Sequence, residues 1–252
     1  MGSGSKYGFE TTTGLTIQQG LFEISSTAKH AVGTRMQLAD GRVFYYAKAG
    51  ASALAAGKLN FSVATVSGHE DVDVSAQSAF DKQVTVTVNT TAVTANQYAE
   101  GWISTRQTSG LGQFRKIRSN TATTETTGTS VLTLYDPLTA ALLATGQADL
   151  IANPQLGVIE SATEEQLPAG VPLVAVTASY YFWNQTWGLC NVLSNGAIPL
   201  GSMVVPGTVA GSVKEFSTAT NDIQGYDQPI VGVQAILSVD ALYTIILLQL
   251  YP

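Results

Sequence analysis

Short β-prone runs, each closed by turn residues, recur along this chain, and that rhythm constrains the fold more than any other feature. The clearest is Gln83-Val-Thr-Val-Thr-Val-Asn89. It alternates Val with polar residues, and a period of two puts all three Val on one face of a strand. Further runs lie over 97–105, 112–118 and 130–135, the last stopped by Asp136-Pro137. The C-terminal part adds 157–161, 172–176, 179–185, 188–193, 203–205, 230–235 and 243–251. Pro168-Ala-Gly170, Ser194-Asn-Gly196, Pro206-Gly207 and Asp227-Gln-Pro229 punctuate them. Strands at ~8–12 residue spacing predict small sandwiches or barrels. Asp40-Gly41, inside Met36 to Tyr46, predicts a β-hairpin with a type I′ turn. Helix is expected only over Ala47 to Lys58 and Leu138 to Ala144. The chain therefore reads as mainly β. An extended N-terminal arm with a hairpin (1–60) precedes two small antiparallel β-sandwich or barrel units (61–153 and 154–252) with few short helices.

A chain of 252 residues that is 45% hydrophobic can bury a real core. Charged residues make up only 12%, about half the usual ~25%. That composition suits β-rich surfaces partly covered by partners better than it suits a free cytosolic enzyme. The few charges are unevenly placed. Residues 1–118 hold eleven basic and eight acidic side chains, a balance of +3, whereas 119–252 hold one basic and ten acidic, a balance of −9. The asymmetry suggests two surfaces with different partners. No internal disulfide can form, because Cys190 is the single cysteine. The polar Met1–Lys6 start has no apolar signal-peptide core, and no run reaches the ~18 apolar residues of a membrane helix.

Few residues invite chemistry. His69-Glu-Asp-Val-Asp73 is dense in oxygen donors, but it lacks the spacing of a Ca²⁺ loop, so no metal or cofactor is expected. His30 and His69 are the only histidines, and neither stands near a nucleophile motif. Gly2-Ser-Gly4 to Gly8 follows no strand, which removes a dinucleotide reading. Arg115, Lys116 and Arg118 lie on one predicted strand with Phe114. Lys6, Lys29, Arg35, Arg42, Lys48 and Lys58 recur through the arm and hairpin. A net charge of −6 argues against nucleic acid and leaves an acidic protein surface as the expected partner of these nine cations. Tyr180 to Trp187 is the aromatic centre, with aromatics on both faces. Tyr181, Trp183 and Trp187 are its candidate subunit-interface residues.

Gly33 to Gly50, Ala55 to Leu59, Val171 to Gly188, and the endings Ile230 to Gln234 and Ile245 to Leu250 together resemble the capsid decoration, or cement, proteins of tailed bacteriophages. The resemblance covers about two thirds of the chain as a pattern of strands and turns. It implies a non-enzymatic virion protein, made in the bacterial cytoplasm, on the outside of an icosahedral shell. Its partners would be the major capsid protein and its own copies, with three-fold assembly the first expectation and no membrane involved. Residues 1–60 and the basic strand would grip the shell, and 154–252 would meet sister subunits or face outward. The alternatives are a head or tail fibre that recognises a host glycan through Trp183 or Trp187, and a polysaccharide-degrading enzyme.

Overall fold

A computed structural model describes residues 18–106, 110, 112–162, 166–216 and 228–252. The chain divides into two compact units. Unit 2 is a continuous insert, 64–153, and unit 1 combines 1–63 with 154–252. Among the described residues there is no α-helix, only a 3-10 turn at Ser67–His69.

Unit 2 is a closed six-stranded antiparallel barrel. Its strands are β4 (Val72–Val74), β5 (Gln83–Val88), β6 (Trp102–Thr105), β7 (Phe114–Asn120), β8 (Gly128–Leu134) and β9 (Gln147–Ile151). They close in the order β4-β5-β8-β7-β6-β9. The alternation read from sequence is the cause of the core. Val84, Val86 and Val88 point inward against Ile103, Ile117, Leu132, Leu134 and Leu150, all essentially inaccessible. Each such side chain contributes about 1.5–3 kcal/mol by leaving water. Closure removes every free strand edge. The basic strand β7 is thus paired on both sides, by β6 and β8.

Unit 1 holds β1 (Arg35–Gln37), β2 (Val43–Ala49), β3 (Asn60–Phe61), β10 (Leu156–Val158), β11 (Pro168–Pro172), β12 (Tyr181–Ser194), β13 (Met203–Pro206), β14 (Ser212–Glu215), β15 (Gly232–Gln234) and β16 (Tyr243–Gln249). β12 organises it. Its first half pairs with β2 and its second half with β16. Because β12 also pairs with β14, the order β12-β14-β13-β15-β16 closes on itself as a small barrel. Cys190, Val192, Val204, Val213, Ile246 and Leu248 fill it. The pairings β2–β10 and β12–β14 run parallel, so this unit is mixed rather than wholly antiparallel.

Several expectations are revised. The segment read as an arm does not stand apart from residue 18 onward. Leu21, Met36, Leu38, Phe44 and Tyr46 from it pack with Trp183 in one core cluster. Residues 47–49 complete β2, and Leu54 bridges Val176, so no helix forms over Ala47 to Lys58. Leu138 to Ala144 likewise contains a bridge, Leu142 to Gln77. In both segments tertiary strand pairing overrides helix propensity. The hairpin exists, but its turn is not type I′. Only Gly41 has positive φ, at 86°. The Leu38 and Arg42 backbones close a three-residue loop, in which Gly41 takes the left-handed position.

Candidate partner-binding surface

The outward side of β6 and β7 gathers the most chemically distinctive exposed residues of unit 2. Alternation that buries Ile117 turns Phe114, Lys116 and Arg118 outward. Phe114 is 55% exposed. Its ring stacks on the neighbouring Trp102, with centroids 6.1 Å apart and planes within 7°. Lys116 Nζ lies 2.6 Å from Glu100 Oε2 and 5.3 Å from the Tyr135 ring centroid. The Tyr135 hydroxyl donates to Glu100 Oε1. That hydrogen bond, with burial and the carboxylate charge adding to it, raises the Tyr135 pKa. Glu100 itself has φ 62°, a left-handed conformation that non-glycine residues rarely adopt. The outcome is a strip with two stacked aromatics, a braced lysine and an exposed Arg118.

The predicted cations meet different fates. Arg115 belongs to the framework: its guanidinium donates to Pro137 O (2.9 Å), Thr139 Oγ1 (3.0 Å) and Phe114 O (2.9 Å). Arg42 pairs with Asp40 at 2.7 Å, and Lys58 with Glu160 at 3.2 Å. Arg35 donates to Gln37, and Lys48 Nζ sits 5.5 Å from the Tyr181 ring centroid. Lys29 is exposed. Lys6 lies outside the described residues. The structure unites Lys116 and Arg118 with aromatic neighbours in unit 2, keeps Arg115 in the framework of the same unit, and scatters Lys29, Arg35, Arg42, Lys48 and Lys58 over unit 1.

The aromatic run is also redistributed. Trp183 is 1% exposed, its indole N–H donates to Gln19 O at 2.9 Å, and Tyr46 and His30 pack against it. It is a core residue and can be neither a subunit contact nor a glycan platform. Tyr181 is half-buried, stacked on Tyr46 with planes within 9°. Trp187 is half-buried, between Val43 and Gln249 in the strand register.

Buried polar groups carry no visible chemistry. His69 is fully buried; its Nε2–H donates to Thr91 O at 2.9 Å, so Nδ1 accepts from the Tyr98 hydroxyl at 2.5 Å. Asp71 faces Arg106 at 3.6 Å. Among the described residues no cluster of His, Cys, Asp or Glu could hold a metal ion. Burial pushes the Cys190 thiol up to about 12, which leaves it protonated and unreactive at neutral pH. Sequence reading missed Trp102, Glu100 and Tyr135 as parts of one strip. Trp102 was legible as a strand aromatic, but its pairing with β7 was not. No family model matches the chain, and neither does a curated protein or a solved structure.

Proposed function

We propose that this chain is a non-enzymatic virion structural protein that binds the outside of an icosahedral bacteriophage capsid and bridges capsomers. Its partners in this reading are the major capsid protein and its own copies. The observation that supports it is the strip of exposed Phe114 and Arg118 with half-buried Trp102 and Lys116 beside them. Aromatic and arginine side chains held on a rigid sheet lose little entropy on docking and dominate protein–protein hot spots. A closed barrel suits a mechanical clamp, since it has no edge through which load could peel a strand away. The grip is assigned to this strip rather than to residues 1–60. From residue 18 onward that segment is part of the core of unit 1.

The test is co-sedimentation with expanded icosahedral shells of a bacteriophage major capsid protein. Phe114→Glu with Arg118→Glu should weaken binding about thirtyfold or more, the loss of two hot-spot contacts. Undiminished binding would overturn the reading. One observation favours a second reading, a fibre-like protein that binds a host glycan: the exposed Phe114 ring, stacked on the half-buried Trp102, offers an aromatic face on which a sugar could lie. Saturation-transfer NMR with a saccharide panel separates the two, because a glycan binder shows transfer that Trp102→Ala abolishes.

A further inference from the structure

The turn that ends β12 carries Asn195-Gly196, the single Asn-Gly step of the sequence. An asparagine Cγ is an electrophile held one residue from a backbone nitrogen, and attack by that nitrogen closes a five-membered ring. Glycine in the following position leaves the approach unhindered, because it has no Cβ. Gly196 has φ 97°, and a Cβ built on it would meet nothing within 4 Å. Two loops add the groups that such a step needs. Asp240, between β15 and β16, accepts the Gly196 N–H on Oδ1 at 2.6 Å. Thr208, between β13 and β14, gives Asn195 Oδ1 its backbone N–H at 3.0 Å and its hydroxyl at 2.8 Å. A backbone N–H only donates, so the Asn195 atom that faces Thr208 is the oxygen, and Nδ2 points elsewhere. Strand ends hold the three segments in place. Asn195 N–H donates to Val213 O at 2.8 Å, Ser194 N–H to Leu242 O at 2.8 Å, and Ala241 N–H to Ser194 O at 3.1 Å. Asn195 and Gly196 are half-buried, and Thr208 and Asp240 are exposed, so water reaches the turn. Asn60, Asn120 and Asn184 differ: each spends its amide N–H groups on protein oxygens and precedes a residue with a side chain.

We propose that Asn195-Gly196 is a self-modification site, at which the folded chain converts Asn195 to aspartate and isoaspartate with water as the only co-reactant. In the first step the Gly196 nitrogen bonds to Asn195 Cγ while its proton passes to the Asp240 carboxylate, a general base already in hydrogen-bond reach. Negative charge develops on Asn195 Oδ1, where the two Thr208 donors form an oxyanion hole. The Cγ–Nδ2 bond then breaks, the proton taken by Asp240 returns to Nδ2 through water, and ammonia leaves. The product is a succinimide spanning residues 195 and 196. Water adds to one of its two carbonyls and opens the ring, giving aspartate from one side and isoaspartate from the other. Nothing is oxidised or reduced. Both products place a new carboxylate beside Asp240, and isoaspartate adds one methylene to the backbone where β12 meets β14. The proposal is independent of what the chain binds.

The test is incubation of the full chain in ¹⁸O-labelled water at neutral pH and 37 °C, followed by chymotryptic peptide mapping. Label and the amide-to-acid mass change should appear together at residue 195, and electron-transfer fragmentation separates isoaspartate from aspartate. The same chain held unfolded in urea gives the rate of a bare Asn-Gly step. The folded chain should react at least about tenfold faster, since the base and the oxyanion donors are in place only when it is folded. Asp240→Asn and Thr208→Val should each slow the folded chain about tenfold. Circular dichroism checks that both variants fold, and the comparison of folded with unfolded wild type needs neither. A folded wild type that reacts no faster than the unfolded chain, or folded variants that both keep the wild-type rate, overturns the proposal.

Discussion

Asn184 sits fully buried on β12 and survives there because every polar atom it carries is answered. Its amide N–H groups donate to Asn60 Oδ1 (2.9 Å) and Gln155 Oε1 (3.0 Å), and its Oδ1 accepts from Asn60 Nδ2 (2.9 Å). Gln155 in turn donates to Ala169 O at 2.8 Å. Asn184→Ala should cost about 3 kcal/mol, since it strands two buried partners as well as losing its own bonds. Urea unfolding measures it. One residue back along the same strand, His30 packs on Trp183, and its Nε2 accepts from the Gln18 N–H. Burial lowers its pKa from 6.5. The unfolded chain then binds the proton more readily, so stability is complete above about 6.5 and falls as pH drops through the lowered value. Melting temperatures at pH 5 and pH 8 should differ in that direction, and His30→Gln should narrow the gap.

At the scale of the element, β12 is one strand performing two tasks, and Gly188 lies at the change. Its φ is 91°, and an added Cβ would come within 3.2 Å of the Arg42 Cα and 2.9 Å of its Cγ. Gly188→Val should destabilise by about 2–3 kcal/mol through backbone strain and the clash, read by thermal denaturation. Sequence reading placed two strands here, 179–185 and 188–193, with Gly188 opening the second. The glycine is visible in a sequence; that the strand continues through it is not. Continuity depends on β2 and β16, about 140 residues back and 55 ahead, each pairing with half of it. β14 was missed for a related reason. Ser-Val-Lys-Glu has no alternation long enough to register, and its extended form rests on β13 and β12.

At the scale of the molecule, an insert separates the two segments of unit 1. Because 64–153 closes its own barrel around its own core, it should fold when expressed alone. Dispersed amide NMR signals and a cooperative thermal transition would show this. A chain in which a short Gly/Ser linker replaces 64–153 should likewise keep unit 1 folded. A molten spectrum from either piece would mean that the units depend on each other. The fold also rearranges the charge. Along the sequence the halves balance at +3 and −9. Counted by unit, residues 1–63 with 154–252 hold seven basic and ten acidic side chains, and 64–153 hold five and eight, so each unit carries −3. The asymmetry that suggested a shell-facing and a solvent-facing half belongs to chain order and not to the folded units.

What the sequence by itself determined is local. Period-two alternation placed Val84, Val86 and Val88 on one face, turn residues cut the chain into short strands, and a glycine after Asp40 marked a hairpin. These follow from backbone geometry within a few residues. What only the tertiary structure decided is which neighbour covers each face. Tyr181 to Gln185 reads as aromatic on both sides from sequence, but residues 18–46 bury Trp183, while the outward row at Leu189 and Leu247 is left bare. Alternation says that a face is apolar; only long-range strand pairing settles whether the protein's own chain lies on it.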